Sequence, residues 1–384
     1  MTAITRAVGT VEGVGEGLVT IFMCGDVMTG RGVDQILPHP GNPQLREPHI
    51  TDARAYVRLA ESVSGPIPQP AGPGWPWGDA LQVLDDFTSD VRLINLETSI
   101  TYSSEFAPRK VVHYRMSPAN IGCVAAARPD ACALANNHAL DFSRRGLEDT
   151  LNTLSGAGLP TVGAGHDAVG ARRPVAVGRR GGGRVIVFSC GTESAGVPPE
   201  WAATADRPGL DFLPDLSDRT ADSLISRIQQ ARQPRDVVVV SIHWGSNWGY
   251  GVPPDQVRFA HRLIDGGADV VHGHSSHHPR PLEVYRDKLV LYGCGDCIDD
   301  YEGITGYENY RDDLRLLYFA TVEPGTGRLA RLRMVPMKAG KMRLQYAPAA
   351  DAQWLAAVLQ RISRRFGTRV APEQDGILAL RPLS

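Results

Sequence analysis

Between residues 237 and 297 the chain repeats one pattern, an apolar run that ends in a residue able to hold a metal. The run 237–242 delivers His243, a second run delivers His272, His274, His277 and His278, and a third, 289–292, ends at Cys294-Gly295-Asp296-Cys297. A short continuous apolar run reads as a strand buried on both faces. Strand, turn and polar residue in succession predict an α/β sheet with polar groups along its C-terminal edge, where open α/β sheets place their sites. One histidine alone reads more simply as a satisfied core or surface residue. Six of the eleven histidines fall between His243 and His278, and neutral imidazole is the commonest protein metal ligand, so the cluster points to a metal centre.

The rest of the composition narrows the class. A chain of 384 residues can bury a large core. A formal charge of −2 argues against a general nucleic-acid binder, which shows a basic excess. The cysteines at 24, 123, 132, 190, 294 and 297 lie mostly in or beside apolar runs, as buried reduced thiols do. Cys294 and Cys297 form a lone CxxC, whereas a structural zinc site normally needs a second pair. Residues 1–17 are polar and glycine-rich, without a signal-peptide pattern, and read as a flexible N-terminus. No run approaches the ~20 apolar residues of a membrane span, so the expected location is the cytoplasm.

Taken in order, residues 18–24 form a strand ending at Gly25-Asp26, and 28–37 a short helix with Arg31 near its start. The proline- and glycine-rich segment 38–78 holds one helix, 52–62, and reads as a lid or rim insertion, with a self-packed surface loop as the plainer alternative. Helix 78–87 and strand 91–94 lead into Asn95-Leu96-Glu97. Residues 117–128 predict a helix with Ser117 as N-cap and proline at its first position. Strand 131–135 runs into Asn136-Asn137-His138, and helix 143–157 follows. Strand 184–190, helix 220–232, an antiparallel pair 314–322 and 329–336, a helix 351–366 and one short strand in the tail complete the reading. Without repeats or a clear linker, residues 18–345 are expected to form one domain, on which 346–384 pack.

The strand ends collect Asp26, Glu97, Asn137 with His138, His243, His274 and His277. This oxygen and imidazole set suits divalent manganese, zinc or iron. Six candidates exceed one four-coordinate ion and suit two ions, which together clamp the attacking and leaving oxygens of a substrate. Strand-end Asp and Asn are also ordinary turn formers; repetition over six strand ends tips the reading. Asp141, three residues after His138, is placed to hold one tautomer of that imidazole, the alternative being that both cap the helix from Ser143. Arg31 and Arg115 are candidates for binding an anionic substrate group.

Gly25-Asp26-Val27-Met28, Asn95-Leu96-Glu97-Thr98, Ala135-Asn136-Asn137-His138, Ser241-Ile242-His243-Trp244-Gly245 and Gly273-His274-Ser275-Ser276-His277 resemble the successive motifs of the CapA family. That family is named for poly-γ-glutamate capsule synthesis and belongs to the calcineurin-like metallophosphoesterase superfamily. The resemblance spans residues 19–337 and implies a four-layer αββα sandwich with metals at the sheet edges. It implies Asp26 and His277 on a first metal, Glu97 bridging, Asn137, His243 and His274 on a second, and His138 as catalytic histidine. Met28 stands where the superfamily carries a histidine, which predicts a weaker first position, or a single ion. Asp296, in place of a more usual asparagine, is a further candidate ligand. Many relatives carry a membrane anchor and this chain shows none, leaving room for small-molecule metabolism.

The resulting expectation is a metal-dependent hydrolase that uses metal-activated hydroxide on an anionic ester or amide, a phosphoester or a γ-glutamyl or peptidyl compound. Two rivals stand beside it: metal-assisted acyl transfer that forms an amide, and a non-catalytic accessory protein for polymer assembly.

Overall fold

The computed structural model of the chain describes residues 17–179 and 182–382. The N-terminal stretch expected to be flexible therefore lies, apart from Gly17, outside the described residues.

The fold is mixed α/β and is built on two large sheets. Across the first, the strands run Thr368–Pro372, Leu378–Pro382, Leu329–Ala339, Leu314–Val322, Val19–Val27, Val91–Leu96, Ala131–Ala133 and Thr161–Val162, with Asp296–Ile298 paired to Val19–Val27. The second runs Phe212–Leu213, Arg184–Thr192, Val237–His243, Val270–His274, Lys288–Leu291 and Leu282–Tyr285. In the second sheet Arg184–Thr192, Val237–His243, Val270–His274 and Lys288–Leu291 are parallel. In the first, the half from Val19–Val27 to Thr161–Val162 is parallel and the half from Leu314–Val322 outward is antiparallel. Within each parallel set the C-terminal ends share one edge.

Side-chain alternation fixes how the sheets are covered. Ile21, Met23 and Leu93 of the first sheet share one apolar cluster with Val187, Val239 and Leu291 of the second. Phe22 and Ile94 turn the other way, onto Leu84, Leu147 and Leu154 from helices. Val238, Val240 and Val271 do the same on the second sheet, against Leu224, Ile228, Phe259 and Leu263. Strands apolar on both faces are buried on both faces, which is why the sequence shows continuous runs rather than alternation.

Most expected elements form within a few residues. The predicted helix 117–128 does not: it splits into a single turn at Pro118–Asn120 and a short helix at Gly122–Ala125. Ser117 makes no side-chain cap, and its N–H donates to Asp34 Oδ1 at 2.9 Å instead. The single tail strand is a pair, Thr368–Pro372 with Leu378–Pro382. Segment 38–78 is tied down by its tryptophans: the fully buried Trp77 donates to the Cys123 carbonyl and Trp75 to that of Lys341. The helix Ala349–Ser363 puts Leu355 and Leu359 into the cluster between the sheets. Among the described residues all six cysteines are free and buried, and no helix is long and apolar enough to cross a membrane.

One contact governs how the edge is assembled. The Asp26 N–H donates to the Gly295 carbonyl at 3.0 Å, and a Cβ on Gly25 would lie 1.6 Å from that oxygen. Only a residue without a side chain lets the two backbones approach this far. Gly25→Ala is therefore expected to cost about 3 kcal/mol through overpacking, read as a lowered denaturant midpoint at unchanged slope. A variant as stable as the wild type would show that this approach is not required.

Candidate metal centre

Strand register brings the acids and imidazoles together. Asp26 stands opposite Asn95 on one side and Asp296 on the other. In the second sheet His243 stands opposite His274. All of these are buried, as are Glu97, His138 and His277. Two sets have ligand atoms close enough to share an ion, Asp26 with His243 and His274, and Asp26 with His277 and Asp296. Asp26 is common to both, where the resemblance implied a bridging role for Glu97. Glu97 stands beside it, and Asn95 Nδ2 donates to Asp26 Oδ1 at 2.7 Å and to Glu97 Oε2 at 3.0 Å.

The imidazoles are oriented by further contacts. His274 Nε2 lies 2.9 Å from Ser241 Oγ, and His243 Nδ1 lies 2.8 Å from His274 Nδ1. His243 Nε2 lies 3.0 Å from Asn137 Oδ1. His277 Nδ1 lies 2.9 Å from Asp296 Oδ1, and its Nε2 lies 3.1 Å from Asn247 Nδ2. Met28, expected to weaken the first position, has its sulfur 3.7 Å from the Tyr301 hydroxyl, while Asp296 supplies a carboxylate on that side.

The charge state of this cluster favours a cation. Burial, reinforced by Glu97 and Asp296, pushes Asp26 well above the usual carboxylate range. Burial, reinforced by Asp296 and opposed by the bond to Asp26, raises Glu97 to about 8. Burial and neighbouring histidines hold His243 and His274 well below the usual imidazole value, hence neutral and able to donate a lone pair. Burial also acts downward on His277, but Asp296 and the other acids outweigh it. Asp26 Oδ2 and Asp296 Oδ2 are buried with no hydrogen-bond partner among the described residues. A buried acceptor without a donor is costly, and a divalent ion would satisfy both, so the residues present fit a metal.

Beside the acids, His138 Nδ1 lies 2.7 Å from Asp141 Oδ2, and His138 Nε2 lies 3.8 Å from Glu97 Oε1. Asp141 Oδ2 also accepts the Tyr114 N–H at 2.6 Å. Neither residue caps the helix Ser143–Gly156, which has no side-chain cap. Lys110 completes this group: its Nζ lies 2.5 Å from Asp141 Oδ1 and donates to the Asn137 carbonyl. A cavity of about 210 Å³ opens here, lined by Glu97, Lys110, His138, His243, His277 and Tyr301 among others.

The two arginines expected to bind substrate have other partners. Arg31 forks onto Asp300, also donates to Glu47 and Tyr56, and lies against the Tyr56 ring at 3.8 Å. Arg115 donates to the carbonyls of Ser103 and Asn42. A buried guanidinium must be paired, and local sequence gives no view of such distant partners. Asn95, Lys110 and Asn247 are additions to the expected set. Asn95 was within reach, because it lies two residues from Glu97 on the same strand face; Lys110 and Asn247 sit in irregular loops without a periodic signal.

The raised Glu97 carboxyl gives a sign to test. Its folded value near 8 exceeds the ordinary 4.5, so across that window the folded chain keeps a proton that the unfolded chain has released. Its contribution to stability is then lost as pH rises toward 8. After chelator treatment, Glu97→Gln is expected to gain thermal stability over the wild type progressively from pH 5.5 to about 8.5. A melting-temperature gap that does not change with pH would refute the assignment.

A family model described as "Bacterial capsule synthesis protein PGA_cap" matches residues 20–301. The chain is 55% identical over 366 residues to the "Probable polyglutamine synthesis accessory protein" of Mycobacterium tuberculosis (strain ATCC 25618 / H37Rv), covering 95% of this chain and 96% of the relative. It is 27% identical over 301 residues to the "Capsule biosynthesis protein CapA" of Bacillus anthracis, covering 77% and 63%. It is 28% identical over 242 residues to the "PGA biosynthesis protein CapA" of Bacillus subtilis (strain 168), covering 62% and 60%. With the five strand-end motifs on the edges of the two sheets and the family model matching most of the chain, the protein belongs to the bacterial capsule synthesis, or CapA, family.

Proposed function

We propose that the chain is a metal-dependent enzyme acting on an anionic ester or amide, a phosphoester or a γ-glutamyl-type compound. The observation that carries this reading is the pair of buried, donor-free oxygens, Asp26 Oδ2 and Asp296 Oδ2, with the neutral His243 and His274 beside Asp26. In this reading the two sheets and their covering helices are a four-layer αββα sandwich of the calcineurin-like metallophosphoesterase type. Segment 38–78 packs on Arg31 through Glu47 and Tyr56.

Asp26, His277 and Asp296 would hold one manganese, zinc or iron ion, and Asp26, His243 and His274 another, with Glu97 and Asn137 beside them. A bound divalent ion lowers the pKa of its water from 15.7 toward ~7 and so supplies hydroxide at neutral pH. The protein's own part is proton handling. With Nδ1–H donated to Asp141, the His138 Nε2 faces the cavity with a free lone pair. Burial, outweighing the Asp141 carboxylate, holds His138 at about 4, so it begins as an acceptor and can return the proton to a leaving group. Lys110 pins Asp141 and the Asn137 backbone, which fixes that imidazole's direction.

A second reading is favoured by the relatives' names: an accessory protein in polyglutamate-type polymer synthesis, in which the same centre is structural or joins rather than cleaves. His138→Gln separates the two. Retained metal with turnover down at least ~10²-fold on a phosphoester or γ-glutamyl amide is expected; unchanged turnover makes His138 structural, and lost metal makes it a ligand. His243→Ala and His274→Ala are expected to lose metal on dialysis, and metal content unchanged in both would misplace the centre. Asp296→Asn is expected to weaken one of two steps in a Mn²⁺ titration, and two steps at wild-type affinity would remove Asp296 from the ligand set.

A further inference from the structure

Outside the metal centre an aromatic strip leads from its ligands to a set of arginines. Trp248 lies 5.3 Å from His277, ring to ring, and stacks on Tyr307 at 3.9 Å. Tyr310 continues the strip, 5.3 Å from Trp248 and 4.5 Å from His278. Tyr250 follows at 5.3 Å from Tyr310, and the Arg361 guanidinium lies over the Tyr250 ring at 5.5 Å. The strip comes from two loops and a helix end far apart in sequence. Its first loop is held by Arg280, which is buried and donates to the carbonyls of Ser246 and Gly251.

Arg361, Arg364 and Arg365 are exposed, and no acid lies between 361 and 369. Among the described residues none of the three is paired with a carboxylate; Arg361 and Arg365 make ring contacts, and Arg365 a long bond to the Val252 carbonyl at 3.5 Å. Loop 245–252 carries no charged residue. The strip thus ends in unneutralised positive charge on a chain whose net charge is −2. The cavity at its other end, about 210 Å³, lies below the ~300–1,000 Å³ of a pocket that encloses a whole ligand. It has room for an end group, and the remainder of a longer substrate must lie outside.

We propose that this strip is a second binding site, which holds an extended polycarboxylate chain by Arg361, Arg364 and Arg365 and leads its end along Tyr250, Tyr310 and Trp248 to the metal centre. Guanidinium groups fork onto carboxylates, while the tyrosine hydroxyls and ring faces suit the amide backbone between them. The proposal rests on the γ-glutamyl reading above for its direction. The contact of Trp248 with His277, which lines the metal-centre cavity, favours a polymer end over a membrane surface or a single-stranded nucleic acid, which also suit arginine and aromatic groups.

The test is fluorescence polarisation of labelled poly-γ-glutamate against the full chain, once after chelation and once with Mn²⁺. Binding is expected in both states, weakening with salt. Arg361→Glu/Arg364→Glu/Arg365→Glu is expected to lose at least about tenfold in affinity, with circular dichroism and metal content unchanged, and the exposed Tyr307→Ala to lose affinity less steeply. Binding that survives while no phosphoester or γ-glutamyl amide is turned over would support the strip and count against the enzymatic reading. Equal affinity in the triple variant overturns the strip. So does binding of single-stranded DNA, or of phosphatidylglycerol vesicles, as tight as that of poly-γ-glutamate.

Discussion

Three carboxyl groups, Asp26, Glu97 and Asp296, are held out of water within one small volume, and the surrounding structure is arranged to make that tolerable. Like charges in a low-dielectric interior repel strongly. Asn95 donates to two of the acids, His277 faces the third, and the two buried arginines nearby are already committed, Arg31 to Asp300 and Arg315 to Asp299. What stays unmet is the outer oxygen of Asp26 and of Asp296. The centre is thus short of positive charge on the side of His243 and His274, which stay neutral, and a divalent cation would correct such an imbalance.

Two sheets are needed to build this group. The first contributes the acids and the His138–Asp141 pair, the second the His243–His274 pair; strand register fixes Asp26, Asp296, His243 and His274, while Glu97, His138 and Asp141 stand in the turns that follow their strands. Sites supported on regular elements hold their side chains more closely than sites on loops. The loops around the cavity carry different work: Lys110 steadies Asp141, and Asn247 meets His277.

Much of this was legible in the sequence, for a physical reason. Continuous apolar runs mark strands buried on both faces, and such strands end at the edge where polar residues accumulate, so Asp26, Glu97, Asn137, His243, His274 and His277 could be named as a set. Asp296 emerged from its departure from the family pattern. What could not be read was long-range. Asp300 lies 269 residues from Arg31, and nothing local to Arg31 signals that pairing. Asp34 recruits the Ser117 N–H that the local pattern assigned to a helix start. Lys110 and Asn247 belong to irregular segments, where neither a period of 3.6 nor of 2 exists to follow.

The close approach of Gly25 to Gly295 would have a consequence for ion selectivity if the centre holds a divalent ion. Because Asp26 and Asp296 hang from backbones joined at that contact, the separation of the two backbones from which their carboxyl groups project is set by a hydrogen-bonded register. A gauge of this kind is stiff. Side-chain rotation would follow a small change in ion radius, whereas a larger one would have to displace one backbone from the other, against a sheet packed on both faces. Selection among divalent ions at this position would then follow radius and preferred geometry more than intrinsic affinity for oxygen and nitrogen ligands.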